Sequence, residues 1–237
     1  MKPQVLMLSS SRQGSEDYLE HAKSFIFAHL GDARKLLFVP FAGVSLSWDD
    51  YCDKVAAALP EFTVTGLHRE ADPAKALASA SEKGQAIVVG GGNTFNLLHT
   101  LYEQQLLEPM KQAIAQGTPY IGWSAGSNIC GQSIKTTNDM PIVEPASFDA
   151  LGVINCQLNP HYSNYAPPGH NGETRDERLA EFTLLNPQTP VIAIAEGTAL
   201  RLTDGRLTLV GDQEGFVFCG ADKTAVQPTA DLSEYIP

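Results

Sequence analysis

A serine stands among small residues in Gly122-Trp123-Ser124-Ala125-Gly126, directly after the apolar run Pro119-Tyr120-Ile121. The pattern is G-x-S-x-G at the end of a predicted strand and the start of a short predicted helix, the setting of a nucleophile elbow. Glycines suit the flanks because a sharp strand-to-helix turn leaves no room for Cβ atoms around the serine. The serine then sits at a helix N-terminus, where backbone N–H groups can receive a developing oxyanion. The chemistry this predicts is attack by a serine nucleophile, and the protein class is a hydrolase.

A serine is a poor nucleophile unless a base takes its proton, and that base needs an orienting partner. Six histidines are available. His21 and His29 fall in a predicted amphipathic helix, His68 in a polar loop and His99 in a long predicted helix; these read as ordinary surface or core histidines. His161 and His170 both follow the serine in the chain. His161 is favoured because Pro160 and a predicted strand before it can fix its position, whereas His170 lies in the loop Pro167-Pro168-Gly169-His170-Asn171-Gly172. Two carboxylates compete to orient the histidine. Asp139 lies in the polar loop Lys135–Pro141. Glu196 follows the apolar run Val191–Ala195, at the carboxyl end of a predicted strand, where active sites of open α/β sheets form.

Gly90-Gly91-Gly92-Asn93-Thr94 runs from a strand into a helix but completes neither dinucleotide nor P-loop spacing. Its better use is one half of an oxyanion hole, the N–H of Gly92 joining that of Ala125.

These residues must be carried by a frame. Apolar runs of four or five residues (Val5–Leu8, Leu36–Val39, Phe62–Leu67, Ala86–Val89, Tyr120–Trp123) alternate with helical spacing over Tyr18–Leu30, Trp48–Leu59, Pro73–Glu82 and Thr94–Gln116. The last helix is expected to break near Glu108-Pro109. Strands buried on both faces predict an α/β fold, a mostly parallel sheet flanked by helices. Ala199–Leu202, Arg206–Val210 and Gly215–Phe218, separated by Asp204-Gly205 and Gly211-Asp212, predict antiparallel hairpin strands near the C-terminus. The 237 residues, 43% of them hydrophobic, read as one domain over 1–237.

A net charge of −11 argues against nucleic acid and anionic membranes as partners. Cys52, Cys130, Cys156 and Cys219 form no C-x-x-C pair, which excludes the common zinc and disulfide patterns and suits a reducing compartment. With no apolar stretch of signal-peptide or transmembrane length, the expected location is the cytoplasm.

Five motifs in chain order extend the picture: Gly90–Phe95, Gly122–Asn128, Thr136–Pro141, Asn159–His161 and Gly172–Arg175. Together they resemble the peptidase E family, aspartyl dipeptidases grouped with the cyanophycinases among serine peptidases. The resemblance implies a fold like class I glutamine amidotransferase domains, with serine in place of their cysteine. It implies cleavage of dipeptides with an N-terminal α-aspartyl residue, a small peptide as partner, and neither metal nor organic cofactor. Ser124 matches the nucleophile, His161 the base, Asp139 the acid usually assigned as third member, Glu196 an alternative acid, and Gly92 and Ala125 the oxyanion donors. For the aspartyl carboxylate a bidentate guanidinium suits best, which selects Arg175, with Asn93 as helper. Rival readings are a cyanophycinase-like β-aspartyl peptidase and a non-catalytic amidotransferase-like binding module. A lipase-type hydrolase fits poorly, since no histidine follows His170.

Overall fold

The computed structural model describes residues 2–169 and 171–237. His170, the second candidate base, lies outside the described residues.

The parallel strands form where the apolar runs predict them. β1 (Val5–Leu8), β2 (Lys35–Val39), β3 (Thr63–Gly66), β4 (Gln85–Val89) and β5 (Tyr120–Trp123) pair in the order β3-β2-β4-β5-β1, all parallel. All four residues of β1 and of β5 are buried, as expected of strands covered on both faces. Two antiparallel strands, β8 (Ala199–Thr203) and β9 (Arg206–Val210), extend the sheet beyond β1. Asp204-Gly205 closes their hairpin with positive φ at both residues, the twist that two-residue hairpins favour.

Gly211-Asp212 does not close a hairpin. After it the chain leaves the first sheet, and β10 (Gly215–Cys219) joins a second one of order β11-β10-β7-β6. Here β6 (Gln157–Asn159) and β7 (Val191–Ala193) are parallel, while β10 pairs antiparallel with β7 and with β11 (Asp222–Val226). Four of the five residues of β11 are exposed, so no apolar pattern announces it. One apolar cluster joins residues of both sheets, among them Val5, Leu37, Leu158, Ile192 and Val217.

Three helices are shorter than their apolar spacing predicts. The first is a 3-10 turn over Glu20–Ala22 followed by α1 (Lys23–Leu30), interrupted at Leu19 by a φ of 62°. α2 (Trp48–Ala58) is capped by Ser47, whose hydroxyl accepts from the Asp50 N–H. α3 covers only Pro73–Ala78. The long helix is two, α4 (Thr94–Glu103) and α5 (Leu107–Ala115), and the break precedes Pro109. The chain turns at Gln105, with φ 55°, and Pro109 falls in the first turn of α5, where a missing N–H costs nothing.

His29 of α1 is buried, and burial holds its pKa near 4, well below the ordinary 6.5. A histidine depressed in the folded state stabilises the fold above about pH 6.5, and that contribution fades as pH falls toward 4. Urea titrations should therefore show His29→Leu protein losing less stability than wild type between pH 7 and 4.5, by about 2–3 kcal/mol. Equal losses would show that His29 does not carry this dependence.

Candidate active site

Parallel register brings the carboxyl ends of β1, β4 and β5 to one level: Leu8 lies beside Trp123, and Val89 beside Gly122. The segments that leave these ends are Ser9-Ser10, the glycine loop and Ser124. Ser124 stands between β5 and the short α6 (Ala125–Asn128) with φ 54° and ψ −113°, a conformation L residues rarely adopt. Such backbone costs on the order of 1–3 kcal/mol and persists only where its surroundings dictate it. They do here. The Ser124 N–H donates to Leu8 O at 3.2 Å, its carbonyl accepts from Asn128 N at 2.8 Å, and the Ser127 hydroxyl donates to Leu8 O at 2.6 Å. A Cβ on Gly122 would overlap the Gly126 carbonyl, and one on Gly126 would overlap the Val89 carbonyl. Both glycines of G-x-S-x-G are thus required by backbone packing.

The glycine loop presses on the same residue. A Cβ on Gly91 would come within 2.9 Å of Ser124 Cβ. Gly92, with φ 140°, lies so close to Ala42 O that a side chain would overlap it. Tyr51 holds the loop, its hydroxyl donating to Gly91 O at 2.9 Å while accepting from Trp123 Nε1 at 3.2 Å. Among the described residues, neither the Gly92 N–H nor the Ala125 N–H donates to another group. The Asn93 side chain is held by two bonds within the protein. Its Oδ1 caps α4 by accepting from Asn96 N, and its Nδ2 donates to Met140 O, so the amide fixes the loop.

His161 lies two residues beyond β6, and Glu196 three beyond β7. Because those strands are parallel neighbours, with Asn159 beside Ala193, the two side chains converge. His161 Nδ1 lies 2.7 Å from Glu196 Oε1. The backbone of His161 has φ 54°, and its N–H donates to the Ser9 hydroxyl, which in turn donates to Ile194 O. Gln213 Nε2 donates to Glu196 O. The pair is partly solvated, with 37% of the His161 side chain and 51% of the Glu196 side chain exposed. Of the described histidines, only His161 lines a cavity with Ser124. The Ser124 hydroxyl makes no hydrogen bond to it; the hydrogen bonds of catalytic pairs often tighten only around the substrate.

Asp139 carries a different set of contacts. Its Oδ2 accepts from the Thr94 N–H at 2.7 Å, from the Thr94 hydroxyl at 2.5 Å and from the Thr137 hydroxyl at 3.2 Å. It makes no bond to His161. The α4 N-terminus and two hydroxyls hold this carboxylate where they best satisfy it, and the imidazole has Glu196.

Two cavities meet at Ser124. One, of about 520 Å³, is bordered by the glycine loop, Leu46 and Ile142. The other, of about 190 Å³, is bordered by Ser124, Asn128, Asp139, His161 and Arg175. Arg175 opens α7 (Arg175–Leu185), whose N-terminus carries a capping box between Thr174 and Glu177. Its Nη1 donates to Asn159 Oδ1 at 3.2 Å, and burial lowers the guanidinium pKa. The acidic neighbours that could have neutralised it are engaged elsewhere: Asp176 with Lys223 and Tyr162, Glu177 with Thr174, Glu173 with Arg178. Sequence reasoning missed Ser9, Thr94, Thr137 and Asn128. Thr94, Asn128 and Thr137 lie inside the motifs Gly90–Phe95, Gly122–Asn128 and Thr136–Pro141, and nothing in the sequence marks Ser9 as a neighbour of the site.

The described residues contain no group of three or more His, Cys, Asp or Glu able to hold a metal ion, and no helix long and apolar enough to cross a membrane.

Residues 5–210 match the profile of Peptidase family S51. The chain is 52% identical over 235 residues to Peptidase E of Shewanella putrefaciens, covering 98% of each chain. It is 50% identical over 239 residues to Peptidase E of Shewanella amazonensis, covering 100% of each. Among solved structures, a peptidase from an acI-B1 Actinobacterium superposes with a TM-score of 0.71 at 17% identity, over 98% of this chain and 97% of that one. A putative peptidase E from Listeria monocytogenes EGD-e gives 0.66 at 21% identity, over 89% and 99%. At these identities the two structures speak for the fold.

Proposed function

The chain belongs to peptidase family S51, and we propose that it hydrolyses dipeptides bearing an N-terminal α-aspartyl residue by acyl transfer through Ser124. It is a serine-type dipeptidase. The observation that carries the aspartyl reading is the small cavity in which the nucleophile, the histidine and a guanidinium meet. An aspartyl side chain there presents a carboxylate to Arg175, whose planar fork matches it bidentately.

In this reading His161 Nδ1–H donates to Glu196, which leaves Nε2 to accept a proton. Nε2 takes the Ser124 proton as Oγ bonds to the aspartyl carbonyl carbon. The oxyanion is received by the N–H groups of Gly92 and Ala125. The C–N bond breaks as His161 gives its proton to the leaving amine, and an aspartyl ester of Ser124 remains. Water, deprotonated by His161, cleaves that ester and releases aspartate. The peptide is the only partner the site calls for. Buried free thiols at Cys52, Cys130 and Cys156 support a reducing, cytoplasmic setting.

Arg175→Met tests the specificity. The kcat/KM for Asp-Leu should fall about 10²–10³-fold, the cost of unpairing a charge in a desolvated site. The preference for Asp-Leu over isosteric Asn-Leu should vanish with it. A variant that keeps the wild-type preference would move the acidic pocket elsewhere.

A further inference from the structure

The aspartyl carboxylate and the scissile bond account for Arg175 and Ser124, but an N-terminal aspartyl residue carries a third group, its α-ammonium. The small cavity holds a second charge for which the acyl-transfer steps have no use. Asp139 is the one carboxylate on its wall, opposite in sign to Arg175. Its Oδ2 is held by three donors, Thr94 N, Thr94 Oγ1 and Thr137 Oγ1, whereas no described group donates to Oδ1. None of those donors is a cation, so its negative charge is unpaired among the described residues. Asn128 lies on the same wall, 1% exposed. Its Nδ2 donates to Leu158 O at 2.7 Å, but its Oδ1 is buried with no donor. A buried acceptor left unsatisfied costs on the order of 1–3 kcal/mol, and native structures keep such atoms where something else supplies the proton. An ammonium has three N–H groups and no acceptor. A carboxylate and an amide oxygen together are what it requires.

We infer that Asp139, assisted by Asn128 Oδ1, binds the α-ammonium group of the substrate's first residue. The inference rests on the aspartyl dipeptidase reading and names its second charged subsite. Arg175 and Asp139 then recognise the two ends of one zwitterionic residue. A peptide extended at its N-terminus has an amide where the ammonium belongs, so the same carboxylate confines cleavage to the first peptide bond.

The test uses Asp-Leu and succinyl-Leu, which differ only in the amino group. Wild type should favour Asp-Leu on the order of 10²-fold in kcat/KM, the range of a charge-assisted hydrogen bond. Asp139→Asn still offers Thr94 and Thr137 an oxygen acceptor, and it should bring the ratio close to one by raising KM for Asp-Leu. Fluorophosphonate labelling of Ser124, which needs the serine and histidine but no ammonium, should proceed in that variant at a rate near wild type. A ratio near one in wild type, or one unchanged in Asp139→Asn, overturns the inference. Equal loss of both substrates together with labelling also overturns it and returns Asp139 to the proton relay. A wild-type enzyme that cleaves neither compound defeats the aspartyl reading and this subsite with it. Cleavage of Asp-Leu with an unresponsive ratio defeats the subsite alone.

Discussion

Ser124→Ala protein should fold normally and release leucine from Asp-Leu with kcat lowered about 10⁴–10⁶-fold, as removal of a triad nucleophile does. Both halves of that expectation follow from the elbow. The Ser124 hydroxyl makes no hydrogen bond within the described protein, so its loss leaves no buried partner unsatisfied. The strained backbone is held by the Leu8, Ser127 and Asn128 contacts, none of which uses the serine side chain. Alanine accepts φ 54° no better and no worse than serine, having the same Cβ. A thermal melt beside the assay separates the two effects. A melting temperature close to wild type with turnover abolished supports the nucleophile. Turnover within tenfold of wild type would end the serine mechanism.

Glu196→Gln carries the second large effect. The glutamine amide can donate to His161 Nδ1 as readily as accept from it. Donation would put the imidazole proton on Nε2, where it cannot receive one from Ser124. A kcat loss of about 10²–10⁴-fold is expected, with its upper end set by triads whose acid is buried. Glu196 is half exposed, so water can restore part of the orientation and the lower end of the range is as consistent with its role. Fluorophosphonate labelling should slow in parallel, because it uses the same proton transfer. Asp139→Asn should leave labelling near the wild-type rate. If the two variants exchange these behaviours, the acid that orients His161 is Asp139, and the 2.7 Å contact with Glu196 is only a surface pair.

Much of this fold is legible in the chain because its parallel strands are buried on both faces. Val5–Leu8, Leu36–Val39 and Ala86–Val89 are continuous apolar runs, and continuous runs survive without knowledge of what they pair with. The elbow is legible for a related reason: Gly122 and Gly126 are demanded by contacts within a few residues of the serine and with the adjacent strand. The convergence of His161 and Glu196 is not local. It requires the three-residue Gln157-Leu158-Asn159, with one apolar side chain, to lie parallel to Val191–Ala193, and no periodicity over so short a strand can announce that pairing. The contacts of Asp139 are hidden for a different reason. It sits in a motif beside the histidine's own, but its carboxylate finds the Thr94 amide and two hydroxyls first. Asn93 similarly reads as a polar residue at a binding loop, whereas its side chain caps the helix it introduces. The second sheet escapes because Asp222–Val226 is a solvated edge strand, shaped by its partner Gly215–Cys219 rather than by its own hydrophobicity.

Leucine release from Asp-Leu and from Asn-Leu, by wild type and by Ser124→Ala protein, tests the central claim most directly. The two dipeptides have the same shape and differ in one charge. The account predicts wild-type cleavage of Asp-Leu at least about 10²-fold more efficient than of Asn-Leu, and no measurable cleavage of either by the variant. Equal cleavage of the two dipeptides, or near-normal turnover without the serine, would contradict it.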